Sequence, residues 1–394
     1  MNNYGFLSQS RLFRGELTNV RAATLAAMAA TDRPKRLEEI QDLGCPADVL
    51  LAFAKRNRVG PIIAHALLDL DDASGAILAD ARAEHEASAS RMQVLMDVLD
   101  EVAETLDTEG IPLVALKNAG IARGVYSCPA CCPMGDIDVL VPRERFRDAH
   151  RLVLDSGFEF ASRSVVEPAE LEAGLLSGGT EYRKSVSGQD VWLELQWRPI
   201  AGRWISADQE PSGEKLLAAS VPIEGTHARL LCPTHNMVQV ALHTAKHSYV
   251  RAPGLRLHTD VDRLAAFHAP DWDDVLLMTE TLGVSTACYF SFALAHALLD
   301  TPLPQKILDE LAPPRWQREA VLFLLRRAGL FEPDAPKFNR AEMAVLHSLL
   351  FDDPSRFLES ASAIPREELR LANGHRILGG LFQRARDLIT RYQA

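Results

Sequence analysis

No stretch of the chain is apolar over the length that a bilayer crossing requires. The opening residues, MNNYGFLSQSRLFRGEL, hold no apolar core of signal-peptide length. The expectation is a cytoplasmic protein with no membrane partner. Positive charge is also short: Lys and Arg total 42 against 53 Asp and Glu, a net charge of −11. Contacts from Lys and Arg to phosphates supply most non-specific affinity for nucleic acid, so a nucleic-acid partner is disfavoured. Neither a G-x-G-x-x-G nor a G-K-[ST] loop occurs, which removes the common glycine-rich phosphate cradles. Internal repeats and low-complexity runs are absent. The six cysteines include one C-x-x-C, Cys128-Pro-Ala-Cys131, followed directly by Cys132. No second C-x-x-C or C-x-x-H lies at zinc-like spacing. These cysteines are therefore expected to be reduced loop thiols, free of zinc.

What remains is an ordinary globular composition, 47% hydrophobic and 24% charged over 394 residues, long enough for two or three domains. The chain is organised around Ile111–Pro142. Leu113 to Leu116 reads as a short buried strand. Lys117-Asn118-Ala119-Gly120 turns into a helix that runs to Tyr126, and Gly135-Asp136-Ile137-Asp138-Val139-Leu140-Val141 reads as a second strand. Side chains alternate along a strand, so Asp136 and Asp138 share one face while Ile137 and Val139 enter a core. Two carboxylates that close repel unless a cation lies between them, and an oxygen-only donor set suits Mg²⁺ or Mn²⁺.

Upstream, residues 1 to 108 read as helical. A break is expected at Gly60-Pro61, followed by a long helix over Ala79–Leu106 with Met92, Leu95, Val98, Leu99, Val102 and Leu106 on one face. Glu109-Gly110 supplies its C-cap. Downstream, Arg143-Glu144 opens a helix to about Asp155, closed by Gly157, and Phe158–Ser162 reads as a strand. Glu167–Leu176 reads as a helix. Thr180–Ser185 and Asp190–Trp197 form a hairpin around Ser187-Gly188-Gln189. In its second arm Glu194 faces away from Leu193 and Leu195. From Pro233 the pattern is helical. A helix over Thr234–Tyr249 carries His243 and His247, which share a face at i,i+4. The H-E-x-x-H peptidase motif is missing, because position 244 is Thr. Residues 275 to 299 read as one Ala-rich apolar segment, and Arg376–Tyr392 as a basic amphipathic one.

The central stretch resembles the polymerase-beta-like nucleotidyltransferase superfamily. More closely, it resembles the bacterial nucleotidyltransferase family long labelled uncharacterised. Lys117, Tyr126 and Pro133-Met134-Gly135-Asp136-Ile137-Asp138 match that family's core, and the resemblance runs from about Leu50 to Pro304. Asn118 stands where the family has Gly, and Cys132 where it has Arg. Glu194-Leu195-Gln196-Trp197 stands for the family's Asp-Leu-His-Trp. The resemblance implies an α+β fold: a small mixed-sheet core over 109–232 between a helical region 1–108 and a helical domain 233–394. It implies a nucleoside triphosphate such as ATP as substrate, with Mg²⁺ or Mn²⁺ held by Asp136, Asp138 and Glu194. Lys117, Asn118, Lys246, His247 and Arg256 would meet the nucleotide, and a small molecule or a peptide or protein hydroxyl would be the acceptor. Two alternatives stand beside this: a nucleotide-binding scaffold without catalysis, and a metal-dependent hydrolase using His243, His247 and Asp260. Pairing of His247 with Asp260 between two helices would be a purely structural role.

Overall fold

The computed structural model describes residues 18–69, 75–161, 171–198, 204–205 and 211–353. The expected amphipathic segment Arg376–Tyr392 lies outside them, as do Ser162 and the start of the helix expected from Glu167.

Five helices open the described chain: α1 (Asn19–Met28), α2 (Arg33–Asp42), α3 (Ala47–Arg56), α4 (Gly60–Leu68) and α5 (Gly75–Thr108). The break between α3 and α4 falls where Pro61 needs a first-turn position, since it has no N–H to donate further in. Helix α5, with 34 residues, extends about 50 Å at 1.5 Å per residue. All six apolar positions expected on its buried face are at most 2% exposed. Its end is a Schellman motif. Gly110 adopts φ +65°, its N–H donates to Asp107 O (2.9 Å), and the Ile111 N–H donates to Leu106 O (2.9 Å). This turn aims the chain into β1.

The sheet has seven strands in the order β3-β4-β5-β2-β1-β7-β6. They are β1 (Val114–Leu116), β2 (Ile137–Leu140), β3 (Glu159–Phe160), β4 (Gly179–Val186), β5 (Gln189–Gln196), β6 (Val221–Pro222) and β7 (Arg229–Leu230). It is mixed: β2 runs antiparallel to β1 but parallel to β5, and β1 runs parallel to β7. The fold is therefore α+β with helical flanks. The β4–β5 hairpin closes through Ser187 and Gly188, both at positive φ (51° and 75°). That pair of conformations matches the right-handed twist of the strands it joins.

Between strands lie α6 (Lys117–Gly124), α7 (Phe146–Asp155), α8 (Leu171–Ser177) and α9 (Gly213–Ala218). After the sheet come α10 (Pro233–Lys246), α11 (Leu255–Phe267), α12 (Trp272–Leu282), α13 (Ser285–Leu299), α14 (Gln305–Glu310), α15 (Arg315–Ala328) and α16 (Arg340–Ser348). The segment expected as one apolar unit over 275–299 is two helices. Gly283 at φ +65° caps α12, because a left-handed residue ends an α-helix at little cost only when it lacks a Cβ. Helix α10 starts with Cys232 as its N-cap and Pro233 in its first turn, earlier than the expected cap at Thr234. Helix α10 packs against α11 and α13 and touches α6, so it forms a wall beside Lys117.

Candidate active site

Strand pairing decides the centre of the site. Residues 137–140 of β2 run in parallel register with 193–196 of β5, which sets Asp138 opposite Glu194. The same residue lies opposite Leu116, the last residue of β1, so Lys117 projects over the pair. Its Nζ donates to Asp138 Oδ1 at 2.5 Å and lies 3.7 Å from Glu194 Oε2. Gln196 Nε2 donates to the same Asp138 oxygen at 3.0 Å. Asp138 is 4% exposed. Burial pushes its carboxyl up to about 6; Lys117 opposes this and the Glu194 carboxylate adds to it. Burial pulls Lys117 down, but Asp138, Glu194 and Asp136 outweigh it and hold the ammonium above the ordinary lysine range. Asp136, half-buried just before β2, lies close enough to raise Arg256 as well.

Lys117 sits at φ +49°, a left-handed conformation that costs a non-glycine residue about 1–2 kcal/mol. Its surroundings hold it there. The backbone N–H donates to Gln239 Oε1 on α10 (3.1 Å), and the ammonium is tied to Asp138. Strain of this kind gathers at sites that pre-position a side chain. Beside it, Gln239 Nε2 and His243 Nδ1 are buried without a hydrogen-bond partner. They are four residues apart on α10 and so share a face. Burial, followed by His247 and Lys117, pulls His243 well below the ordinary histidine range.

Behind this centre lies a second layer. The Asn118 side chain, with its oxygen toward α11, accepts from the Arg256 guanidinium (2.7 Å to Nη1). Arg256 Nη1 pairs with Asp260 Oδ2 at 3.2 Å, and Tyr126 Oη donates to Asp260 Oδ1 at 2.9 Å. Cys132 Sγ lies 3.8 Å from Arg256 Nη1. Arg256 and Asp260 are 3% and 0% exposed. Asp260 thus bonds to Arg256 and Tyr126 rather than to His247. The His247 ring stands edge-on to His243 with centroids 4.8 Å apart, and burial pulls it down to about 4. Lys246 is exposed at the end of α10.

The structure therefore brings Asp136, Asp138, Glu194 and Lys117 together. It places Asn118 and Arg256 in the layer behind, and leaves Lys246 and His247 at the far end of α10. Gln196, which stands where the family has His, is the second donor to Asp138. Gln239 went unrecognised in the sequence, though it was readable as one turn from His243. The expectation that the C-x-x-C has no partners is corrected: His65 on α4 and His85 on α5 meet Cys131 and Cys128. These four form the one group of three or more His, Cys, Asp or Glu donors gathered within 4.8 Å among the described residues. Neither His243, His247 and Asp260 nor Asp136, Asp138 and Glu194 form such a group, and Asp260 is taken up by Arg256 and Tyr126. The chemistry of Asp136, Asp138 and Glu194 nonetheless fits a hard divalent cation. All donors are carboxylate oxygens, and burial together with the Glu194 charge holds the Asp138 carboxyl above the ordinary carboxylate range.

A family model described as "Uncharacterised nucleotidyltransferase" matches residues 46–300, more than half of the chain. The protein belongs to that family, which supports nucleotidyl transfer as its general function and a nucleoside triphosphate as substrate. No curated protein and no solved structure matches the chain significantly. No helix among the described residues is long and apolar enough to cross a membrane.

Proposed function

We propose that the protein transfers a nucleoside monophosphate from a nucleoside triphosphate to a hydroxyl of a small molecule, peptide or protein, with Mg²⁺ or Mn²⁺ held by Asp136, Asp138 and Glu194. The observation that carries this reading is the register pairing of Asp138 with Glu194 beneath the Lys117 ammonium. A bound divalent ion would neutralise triphosphate charge and lower the acceptor hydroxyl's pKa. The chain's own groups do the positioning. Lys117 swings its point charge from Asp138 to the triphosphate, a short move for a side chain whose backbone is already fixed by Gln239. Amides at the start of α6 face phosphate oxygens. The unpaired Gln239 Nε2 and the neutral His243 ring offer hydrogen bonds to the nucleotide or the acceptor. The acceptor oxygen attacks the α-phosphorus in line and pyrophosphate leaves. Such chemistry is dominated by orientation and charge complementarity.

Asn118 and Cys132 depart from the family pattern at neighbouring points, and both contact Arg256. We read Arg256 as the residue that fixes α6 and the loop before β2 rather than as an open phosphate ligand, leaving Lys246 and His247 at the rim for the acceptor. The test is a thermal-shift screen with each ribonucleoside triphosphate and Mg²⁺ or Mn²⁺, followed by transfer of α-phosphate label to extract components. A ligand present at 100 times its Kd should stabilise the protein by about 2.7 kcal/mol. If no nucleotide raises Tm with either metal, the reading fails.

A further inference from the structure

The loop that leads into β2 carries a second cluster that nucleotidyl transfer does not use. Cys128 precedes, and Cys131 ends, a single 3₁₀ turn, Pro129–Cys131. His65 reaches them from α4 and His85 from α5. His65 Nδ1 is 3.1 Å from Cys131 Sγ, and His85 Nε2 is 3.2 Å from Cys128 Sγ. The imidazole centroids are 5.2 Å apart, and one donor atom from each of the four residues lies within 4.8 Å of the others. Zn–S of about 2.3 Å and Zn–N of about 2.0–2.1 Å at tetrahedral angles separate sulfur from nitrogen by ~3.5 Å. The observed contacts are within a few tenths of an ångström of that.

Chemistry narrows the occupant. Two soft thiolates with two imidazoles form a donor set that suits Zn²⁺, whereas Mg²⁺ and Ca²⁺ require oxygen. Four protein donors leave no open position, which is the pattern of a structural site rather than a catalytic one. A two-iron cluster would put the cysteines on one iron and the histidines on the other, holding the pairs further apart than this common group. Ser88 of α5 adds a hydrogen bond to Ala130 O (2.7 Å), which fastens the same turn.

We propose that His65, His85, Cys128 and Cys131 bind a single structural Zn²⁺ that pins the loop before β2 to helices α4 and α5. The next residue, Cys132, packs on the Arg256–Asp260 pair, and Asp136 follows four residues later. The ion therefore steadies the entrance of the aspartate strand from outside the site. The inference does not depend on nucleotide chemistry and can be tested without a nucleotide.

The experiment is elemental analysis of the full chain, purified without a polyhistidine tag and dialysed after exposure to zinc. About one zinc per chain is expected, as for a closed four-ligand site. The Cys128→Ser/Cys131→Ser and His65→Ala/His85→Ala variants should lose it, while Cys132→Ser and Asp136→Asn should retain it. Wild-type protein stripped by a strong chelator should melt at lower temperature and recover with zinc, because metal affinity is folding free energy. Should the ligand variants not fold, cobalt added to stripped wild type serves instead: intense d–d bands of tetrahedral cobalt with thiolate charge transfer support the site. Metal-free wild type after zinc exposure, undiminished zinc in soluble Cys128→Ser/Cys131→Ser, octahedral cobalt spectra, or a Cys128–Cys131 disulfide in the freshly purified chain would each overturn it.

Discussion

Replacing Asp138 by asparagine should remove metal-dependent transfer and leave the metal-free fold nearly unchanged. The hydrogen-bond geometry gives the reason. Lys117 Nζ and Gln196 Nε2 both donate to one atom, Oδ1. An asparagine oxygen in that place still accepts from both, and its NH₂ group faces Glu194, the register partner. The neighbourhood loses one negative charge, but Lys117 keeps Glu194 at 3.7 Å. Removing one of several crowded carboxylates relieves repulsion, so the change in metal-free stability should lie within about 1 kcal/mol. Asp138→Ala is the contrast. It leaves two buried donors without their acceptor, which costs about 1–3 kcal/mol for each unmade bond. That amounts to a Tm drop on the order of 5–10 °C. Activity should separate differently. An amide cannot supply the charge that a divalent ion needs, so both variants should lose ~10²–10³-fold or more, about 3–4 kcal/mol in the barrier. The assay is release of pyrophosphate from each ribonucleoside triphosphate, beside melting curves of metal-free protein. Wild-type turnover by Asp138→Asn would refute the carboxylate role. A metal-free Tm loss as large as that of the alanine variant would refute the hydrogen-bond argument.

Three further outcomes follow from the packing. Gly120→Ala should destabilise by about 1–3 kcal/mol, because a Cβ there would meet Ala115 O at 2.5 Å and Leu230 Cδ1 at 2.7 Å; a denaturant midpoint equal to wild type would show that α6 can shift. Arg256→Met should cost about 3–5 kcal/mol by leaving Asp260 buried and uncompensated, and adding Asp260→Asn should recover much of it; strict additivity in a double-mutant cycle would deny the pairing. His258, fully buried, donates from Nε2 to Tyr249 O (3.0 Å), and burial pulls it down to about 4. Its folded pKa lies below its unfolded one, so the stability it permits is complete above the ordinary histidine range and is lost as pH falls toward 4. Over that window the loss should reach about 3 kcal/mol at most. His258→Gln should flatten the acid limb of stability against pH, and parallel profiles would show that another group governs it.

The sequence by itself determined what depends on near neighbours. Alternation over 135–141 and 190–197 put Asp136 with Asp138 and turned Glu194 away from Leu193 and Leu195. Gly110, Gly157 and Ser187-Gly188 marked ends and turns through their own backbone preferences. The buried stripe of α5 was legible because its period repeats over many turns. Strands β6 and β7, two residues each, were not. Only the tertiary structure decided how separate segments meet. Register between β2 and β5 set Asp138 beside Glu194. Packing of α11 turned Arg256, expected to meet the nucleotide, inward to Asn118 and Asp260. The four-donor cluster shows the limit most clearly. Cys128 and Cys131 announce themselves by spacing, but His65 and His85 lie on two different helices, and Cys131 is 66 residues from His65. A metal ion selects donors by their distance in space, and that distance exists only once α4, α5 and the loop before β2 have packed together.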